Sequence, residues 1–243
     1  MDEKEEWLLQ ITSPTIAEVL GRFLEEQRMR IKPATFGKYE DIVYFFKESM
    51  NGYAYQSLDE EEEKLFNHFY NLKGEDHREF CDVFGPEKIL ENVSEFLNYF
   101  MTRKVICGKG LLKAAGTVIK RLTKWLAEHG HVDTEMAELY ADEAGEASKE
   151  LPAMEELSYL LWRYAADQEE IDFEETAEGY FNVLRVENDR LHLADMHART
   201  LVVKLPEEIT GKCKSGWSIN LELGKTKDGW KILEVGNVYS KVR

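Results

Sequence analysis

The sequence predicts an α+β protein of two domains: an all-α N-terminal helical bundle and a small five-stranded C-terminal β-barrel. Up to about residue 168, apolar residues recur at the spacing of helices with one buried face. From Gly179 onward the apolar runs are short, rich in β-branched residues and separated by turn residues. With 243 residues, the chain is long enough for two such domains, each with its own core.

The helical part begins with a well-marked helix. Thr15 and Glu18 have the spacing of a capping box, and the apolar residues that follow repeat at helical intervals. A second helix is predicted from Pro33 to a break at Asn51-Gly52. The acidic run Asp59–Glu63 is interpreted as a solvated segment, since it lacks the spaced oxygen ligands of a calcium loop. Further helices are predicted after Gly85-Pro86 and over the stretch that ends at Gly130.

The C-terminal part predicts five strands: GYFNVLRV, RLHLAD, RTLVVKL, WSINLELG and WKILEVGNVY. With a helical turn at 206–210 between the third and fourth, this order favours an OB-like barrel, and an SH3-like barrel is the alternative. Trp217 and Trp230 begin strands four and five, where they either pack in the core or stack on bases. Basic residues outnumber the three acids of this region: Lys212, Lys214, Lys225, Lys227, Lys231, Lys241 and Arg243.

The charge is strongly segregated along the chain. The formal net charge is −16, and the segment from Glu128 to Glu178 holds seventeen acidic and two basic residues, a net charge of −15. Within it, ELYADEAGEASKE indicates a linker or a loose acidic helix, and a separate helix is predicted at 153–167. The predicted organisation is therefore a helical domain over 10–132, an acidic connector over 133–177 and a β domain over 178–243.

The stretch KGLLKAAGTVIKRLTKWL (109–126) contains no acidic residue and predicts an amphipathic helix. Its lysines fall within roughly 60° of one another on a helical wheel, opposite the apolar face. The predicted inward residues are Leu111, Ala115, Val118, Ile119, Leu122, Trp125 and Leu126. The candidate nucleic-acid-binding residues are Lys109, Lys113, Thr117, Lys120, Arg121 and Lys124, which we call the lysine ridge.

Three interpretations of the lysine ridge are open. Aligned ammonium groups can neutralise phosphates, and flexible lysines suit backbone contact better than base recognition. The ridge could instead bind the acidic connector or an acidic partner protein, or it could simply face water. The first interpretation predicts a nucleic-acid-binding protein, and the second predicts an interaction adaptor.

Three segments together resemble the N-terminal SAM-like core-binding domain of tyrosine recombinases and phage integrases. They are TIAEVLGRFLEEQRMRIKPATFGKYEDIVYFFKES, ILENVSEFLNYFM and GKGLLKAAGTVIKRLTKWLAEHGHVD. The residues that match the family's motifs are Thr35, Tyr39, Phe96, Leu97, Trp125, Leu126 and Gly130. The resemblance implies a compact helical bundle that contacts duplex DNA, with Lys113, Thr117, Lys120 and Lys124 near it. Residues 50–86 resemble an insertion relative to that family.

The catalytic part of that family has no counterpart in this sequence. After Val132 the chain offers only His197-Ala198-Arg199, whose spacing differs from the family's H-x-x-R element, and Tyr239 lies in a predicted strand. Recombination chemistry is therefore not implied.

No other pattern points to catalysis, a metal or a cofactor. His77 and Cys81 make only a two-residue pair, and no nucleotide-binding glycine motif or nucleophile motif is present. Three widely spaced cysteines, an acidic N-terminus and the lack of a long apolar run predict a cytoplasmic protein without a membrane span. We expect a non-catalytic protein without a cofactor, whose partner is nucleic acid, DNA in the first place, or an acidic protein.

Overall fold

The computed structural model describes residues 10–168 and 172–240. The chain divides into two compact units, Met1–Ser148 and Lys149–Arg243. Helices make up the first unit, and a five-stranded mixed sheet dominates the second, which confirms the predicted α+β, two-domain organisation. The acidic N-terminal residues 1–9 and the basic residues Lys241 and Arg243 lie outside the described residues.

The first unit is built from helices that bury one face each. The predicted capping box is present, because Glu18 N donates to Thr15 Oγ1 at 3.2 Å and Thr15 N donates to Glu18 Oε2 at 3.0 Å. Its core contains large side chains from several helices, among them Phe23, Phe46 and Phe96. The helices are α1 (Ile16–Arg30), α2 (Pro33–Tyr53), α3 (Glu60–Tyr70), α4 (Phe80–Val83), α5 (the consecutive segments Val93–Glu95, Phe96–Phe100 and Met101–Arg103), α6 (Lys109–Glu128) and α7 (Thr134–Ala166).

The predicted break at Asn51-Gly52 is wrong, since α2 continues to Tyr53. Asn51 is held in the helix end by a long-range contact: its Oδ1 accepts a hydrogen bond from Cys81 N at 3.0 Å. Tertiary contact therefore overrides the local turn preference of the Asn-Gly pair.

The segment 50–86, predicted as an insertion, contributes to the core of the first unit. Phe66 and Phe80 are buried, with ring centroids 6.1 Å apart. The acidic run is largely exposed to solvent, as predicted, and it also begins α3, because Asp59 caps this helix by accepting from the amides of Glu61 and Glu62, each at 2.9 Å. Carboxylates in the first turn interact favourably with the positive end of a helix.

The acidic region after Val132 is helical, which agrees with the second of its two predicted alternatives, and it is continuous with the helix predicted at 153–167, so that both form one helix, α7. Ala137, Ala141 and Ala144 are fully buried within the first unit, at the i, i+4, i+7 spacing of one helix face. This face contacts α6 at Gly116. A methyl group added to Gly116, as in alanine, would lie 2.7 Å from Ser148 Cα, so there is no room for a side chain at this position. The small residues thus form a close helix-helix contact.

The second unit contains a sheet whose hydrogen-bonded strand order, β1-β2-β3-β5-β4, returns from β4 to β1. All pairs are antiparallel except β3 with β5, which are parallel at Val203 and Trp230. The predicted helical turn is present at Glu207–Thr210. The first strand begins before the predicted Gly179. The strands are β1 (Glu175–Glu187), β2 (Arg190–Ala194), β3 (Thr200–Lys204), β4 (Ser218–Thr226) and β5 (Gly229–Tyr239).

Candidate nucleic-acid interface

Helix α6 separates its apolar and basic residues onto opposite faces. Six of the seven residues predicted to face inward are buried, and Leu111 is half-buried. The buried face is wider than the sequence predicts, because Leu112, Ala114, Gly116 and Thr123 are buried too. The remaining sector carries the basic residues.

The lysine ridge lies on the outer face of α6. Lys109, Lys113, Thr117 and Lys124 are exposed, whereas Lys120 and Arg121 are half-buried. Thr117 donates from Oγ1 to the carbonyl oxygen of Lys113 at 3.0 Å, a bond that keeps its side chain close to the helix surface. With a rise of about 1.5 Å per residue, Lys113 and Lys124 stand about 16 Å apart along the helix. The ridge is therefore a linear array of cations instead of a compact pocket.

Lys120 differs from the other lysines because it leans toward α7. Its Nζ lies 4.0 Å from Asp142 Oδ1, and its side chain passes over Gly145, where a methyl group would lie 2.8 Å from Nζ. The Lys120 side chain still exposes 40% of its surface, and that of Asp142 exposes 87%. An ion pair this exposed is weak, so Lys120 remains able to exchange partners.

Arg121 is the most strongly paired member of the ridge. Its Nη1 and Nη2 atoms lie 3.1 and 3.3 Å from the two carboxylate oxygens of Glu128, which lies seven residues later at the end of the same helix. The guanidinium also lies close enough to Tyr39 to oppose the effect of burial, which raises the pKa of that phenol. Arg121 is therefore committed to contacts within the first unit.

Lys38 was not among the predicted residues, although it lies beside the ridge. A methyl group at Gly110, in the first turn of α6, would lie 3.9 Å from Lys38 Nζ. Lys38 is exposed on α2. The sequence places Lys38 off the apolar face of its own helix, but it does not show that α2 runs next to the start of α6.

Most of the residues that carry the integrase resemblance occupy core and turn positions, whereas Thr35 is exposed and Tyr39 is half-buried on α2. Phe96, Leu97, Trp125 and Leu126 are buried. Gly130 has a φ of 70°, in the left-handed region that glycine favours at a helix end. The buried residues of this set contribute to the core of the helical unit.

The C-terminal end of α6 is fixed by a polar cluster around Trp125. Trp125 Nε1 donates to Glu26 Oε2 at 2.9 Å, and His129 stacks on the indole with ring centroids 4.2 Å apart. His129 Nε2 also lies 3.2 Å from Glu26 Oε1. The hydrogen bond from Trp125, followed by the charge of His129, lowers the pKa of Glu26. This cluster joins α1 to the end of α6.

The other candidate groups of the sequence do not assemble into a site. Cys81 is buried, and burial raises the pKa of its thiol, while His77 contacts Glu79 at 3.2 Å and the carbonyl of Tyr70 at 2.7 Å. Among residues 10–168 and 172–240, no cluster of three His, Cys, Asp or Glu side chains could hold a metal ion. Nor does any helix within those residues have the length and apolar character needed to cross a bilayer.

The basic residues of the second unit are largely paired. Lys212 and Lys214 lie 2.9 and 3.8 Å from Glu156 and Glu150, respectively. Lys225 lies 3.1 Å from a carboxylate oxygen of Glu175. The excess of positive charge predicted for this part of the chain is therefore reduced by local ion pairs.

The two tryptophans of the second unit have different environments. Trp217 is buried, which settles its use in favour of core packing. Trp230 is half-buried, and Arg199 and Lys225 lie over its ring at 5.4 and 5.9 Å from the centroid. Arg199 and Lys225 also form ion pairs with Glu175, so both cations next to Trp230 have partners within the second unit.

No protein-family model matches the chain, and no curated protein matches it.

Proposed function

We propose that this chain is a non-catalytic nucleic-acid-binding protein, and that the lysine ridge of α6 contacts the phosphate backbone of duplex DNA. The observation that carries the proposal is the exposed face of α6 over residues 109–126, a stretch without an acidic residue, on which Lys113 and Lys124 flank Thr117. Lys38 extends this face at the start of the helix. The pattern supports binding in a chain whose net charge is −16, because residues 109–126 combine five basic residues with no acidic one.

The arrangement favours contact with phosphates over recognition of bases. A lysine ammonium is a flexible point charge with three donors, and it does not present the planar fork with which arginine recognises guanine. Arg121, the only arginine of the ridge, is paired with Glu128. We therefore expect weak sequence preference and a strong dependence of affinity on salt.

The test compares two charge-reversal variants of equal net charge. K113E/K124E changes the exposed ends of the ridge, and K64E/K73E changes two exposed lysines elsewhere in the first unit. We expect K113E/K124E to weaken binding to a 20-base-pair duplex at least tenfold in 50 mM salt, and K64E/K73E to have a much smaller effect. Equal losses in both variants would mean that overall charge is what matters, and the ridge proposal would fail.

A second candidate function is an adaptor whose ridge binds an acidic protein segment. The contact between Lys120 and Asp142 favours it, since a carboxylate of α7 already approaches one ridge lysine. Polyglutamate serves as the probe in a competition experiment. If it displaces DNA only at a large excess of charge, DNA remains the preferred ligand. If it binds at least as tightly as DNA of equal length, the adaptor function is favoured.

The fold assignments belong to the same proposal. The closed strand order with a short helix between β3 and β4 supports an OB-like barrel in preference to an SH3-like one. The buried positions of Phe96 and Trp125 support a bundle similar to the SAM-like core-binding domain. The odd number and wide spacing of Cys81, Cys107 and Cys213 in the sequence support a reducing compartment, the cytoplasm, as the location of the protein.

A further inference from the structure

The loop between α5 and α6 exposes an apolar residue among cations. Ile106 is as accessible as a residue in an isolated peptide, with a relative exposure of 106%. It lies in residues 105–108, which have no regular secondary structure, between the basic pair Arg103-Lys104 and Lys109. Burial of an aliphatic side chain is favourable, so contact of Ile106 with a partner would contribute binding energy.

The base of the loop is anchored on aromatic rings. The Arg103 guanidinium lies 5.2 Å from the centroid of Tyr99, and Lys104 Nζ lies 5.8 Å from Tyr99 and 6.0 Å from Tyr53. Tyr53 in turn packs edge-on against Tyr99 and Phe100, with centroids 5.9 and 6.1 Å apart. These contacts fix the position from which the loop projects, so Ile106 is presented from a defined base.

The loop also lies beside the lysine ridge. Ile106 precedes Lys109 by three residues, which limits the distance between their Cα atoms to about 11 Å. Lys113 follows one helical turn later, a further 6 Å or so along α6. A duplex lying along the ridge would therefore bring its groove within reach of the loop.

We propose that Ile106 is a wedge that inserts between base pairs of duplex DNA held by the lysine ridge, and thereby bends the duplex. Apolar side chains such as isoleucine act in this way in proteins that bend DNA through the minor groove, where nearby cations hold the backbone. The proposal rests on the proposed function, since the ridge must first hold the duplex. It assigns double-stranded, deformable DNA as the partner of this loop.

The test measures DNA bending with the full chain. A 30-base-pair duplex carries a donor and an acceptor dye at its two ends, and energy transfer is recorded at a protein concentration that saturates binding. The variants are Ile106→Ala and, as a matched control, Met196→Ala, which removes another exposed apolar side chain (86%) from a loop of the second unit. We expect transfer to rise with the wild type and with Met196→Ala, and the rise to fall at least twofold with Ile106→Ala.

The outcomes separate this inference from the proposed function. Binding by the wild type without a change in transfer, or equal bending by Ile106→Ala, would overturn the wedge and leave the ridge in place. If the wild type does not bind the duplex at all, both proposals fail. A final experiment measures binding of the wild type and of Ile106→Ala to vesicles of phosphatidylserine and phosphatidylcholine. Vesicle binding that depends on Ile106, together with an absence of DNA bending, would assign the loop to a lipid surface and overturn the wedge.

Discussion

The contact between α6 and α7 gives a sharp prediction for Gly116→Ala. In most exposed helix positions this change stabilises a protein by about 1 kcal/mol, because alanine favours the helix more than glycine does. At Gly116 the added methyl group would overlap the backbone of Ala144 and Ser148, and it would lie 2.7 Å from Ser148 Cα. Backbone atoms of a packed helix cannot rotate away as a side chain can, so the two helices must separate.

The magnitude follows from two opposing terms. Overpacking of a tight core costs about 3 kcal/mol at the upper end of its usual range, and the gain in helix propensity offsets about 1 kcal/mol of it. We therefore expect Gly116→Ala to lower the free energy of unfolding of the first unit by about 2 kcal/mol. The matched control is Gly21→Ala on α1, where nothing lies within 4 Å of the added methyl group, and which should be neutral or stabilising.

The assay is urea unfolding followed by circular dichroism at a helical wavelength, for the wild type and both variants. Since the chain has two units, the transition midpoints are compared without assuming a single two-state step. Opposite shifts for Gly116→Ala and Gly21→Ala support the close contact between the helices. A Gly116→Ala variant as stable as the wild type, or more so, would refute it.

Two further predictions concern protonation and thiol reactivity. The pKa of Glu26 is lowered in the folded state, mainly by the hydrogen bond from Trp125, so its contribution to stability is present above the unfolded pKa and lost as pH falls through the lower folded value. The melting temperature should therefore fall less steeply with decreasing pH in Glu26→Gln than in the wild type. Melting curves recorded between pH 3 and pH 7 would show this difference, and an equal dependence of the melting temperature on pH in both proteins would contradict it. Burial raises the pKa of the Cys81 thiol, and it raises the pKa of the Cys213 thiol to about 12. Iodoacetamide at pH 8 should therefore label the less buried Cys107 first, which mass spectrometry can follow. Labelling of Cys81 or Cys213 before Cys107 would contradict the burial of these two thiols.

The local features of the fold were predictable from the sequence. The capping box at Thr15, the amphipathic face of α6 and the helical turn before β4 each depend on residues close together in the chain. Such features are set by hydrogen bonds and apolar spacing within a few turns. The exposed positions of Lys113 and Lys124 follow from the same spacing.

The remaining features depend on contacts between distant segments. The continuity of α7 comes from an alanine face buried within the first unit, whereas the sequence of that segment is equally typical of a polar linker. Lys38 joins the ridge only because α2 passes the start of α6, and Lys120 meets Asp142 only because α7 lies beside it. No periodicity within one helix reports which other helix is its neighbour.

The salt dependence of DNA binding reports whether the lysine ridge contacts phosphates. Affinity for a 20-base-pair duplex is measured between 50 and 200 mM salt for the wild type and for K113E/K124E. If the ridge neutralises about four phosphates, we expect the logarithm of the association constant to fall linearly with the logarithm of the salt concentration, with a slope of about −3.6. Loss of two contacts should reduce the slope by about 2 in the variant. A wild-type affinity that does not change with salt, or an equal slope for the variant, would contradict binding through the lysine ridge.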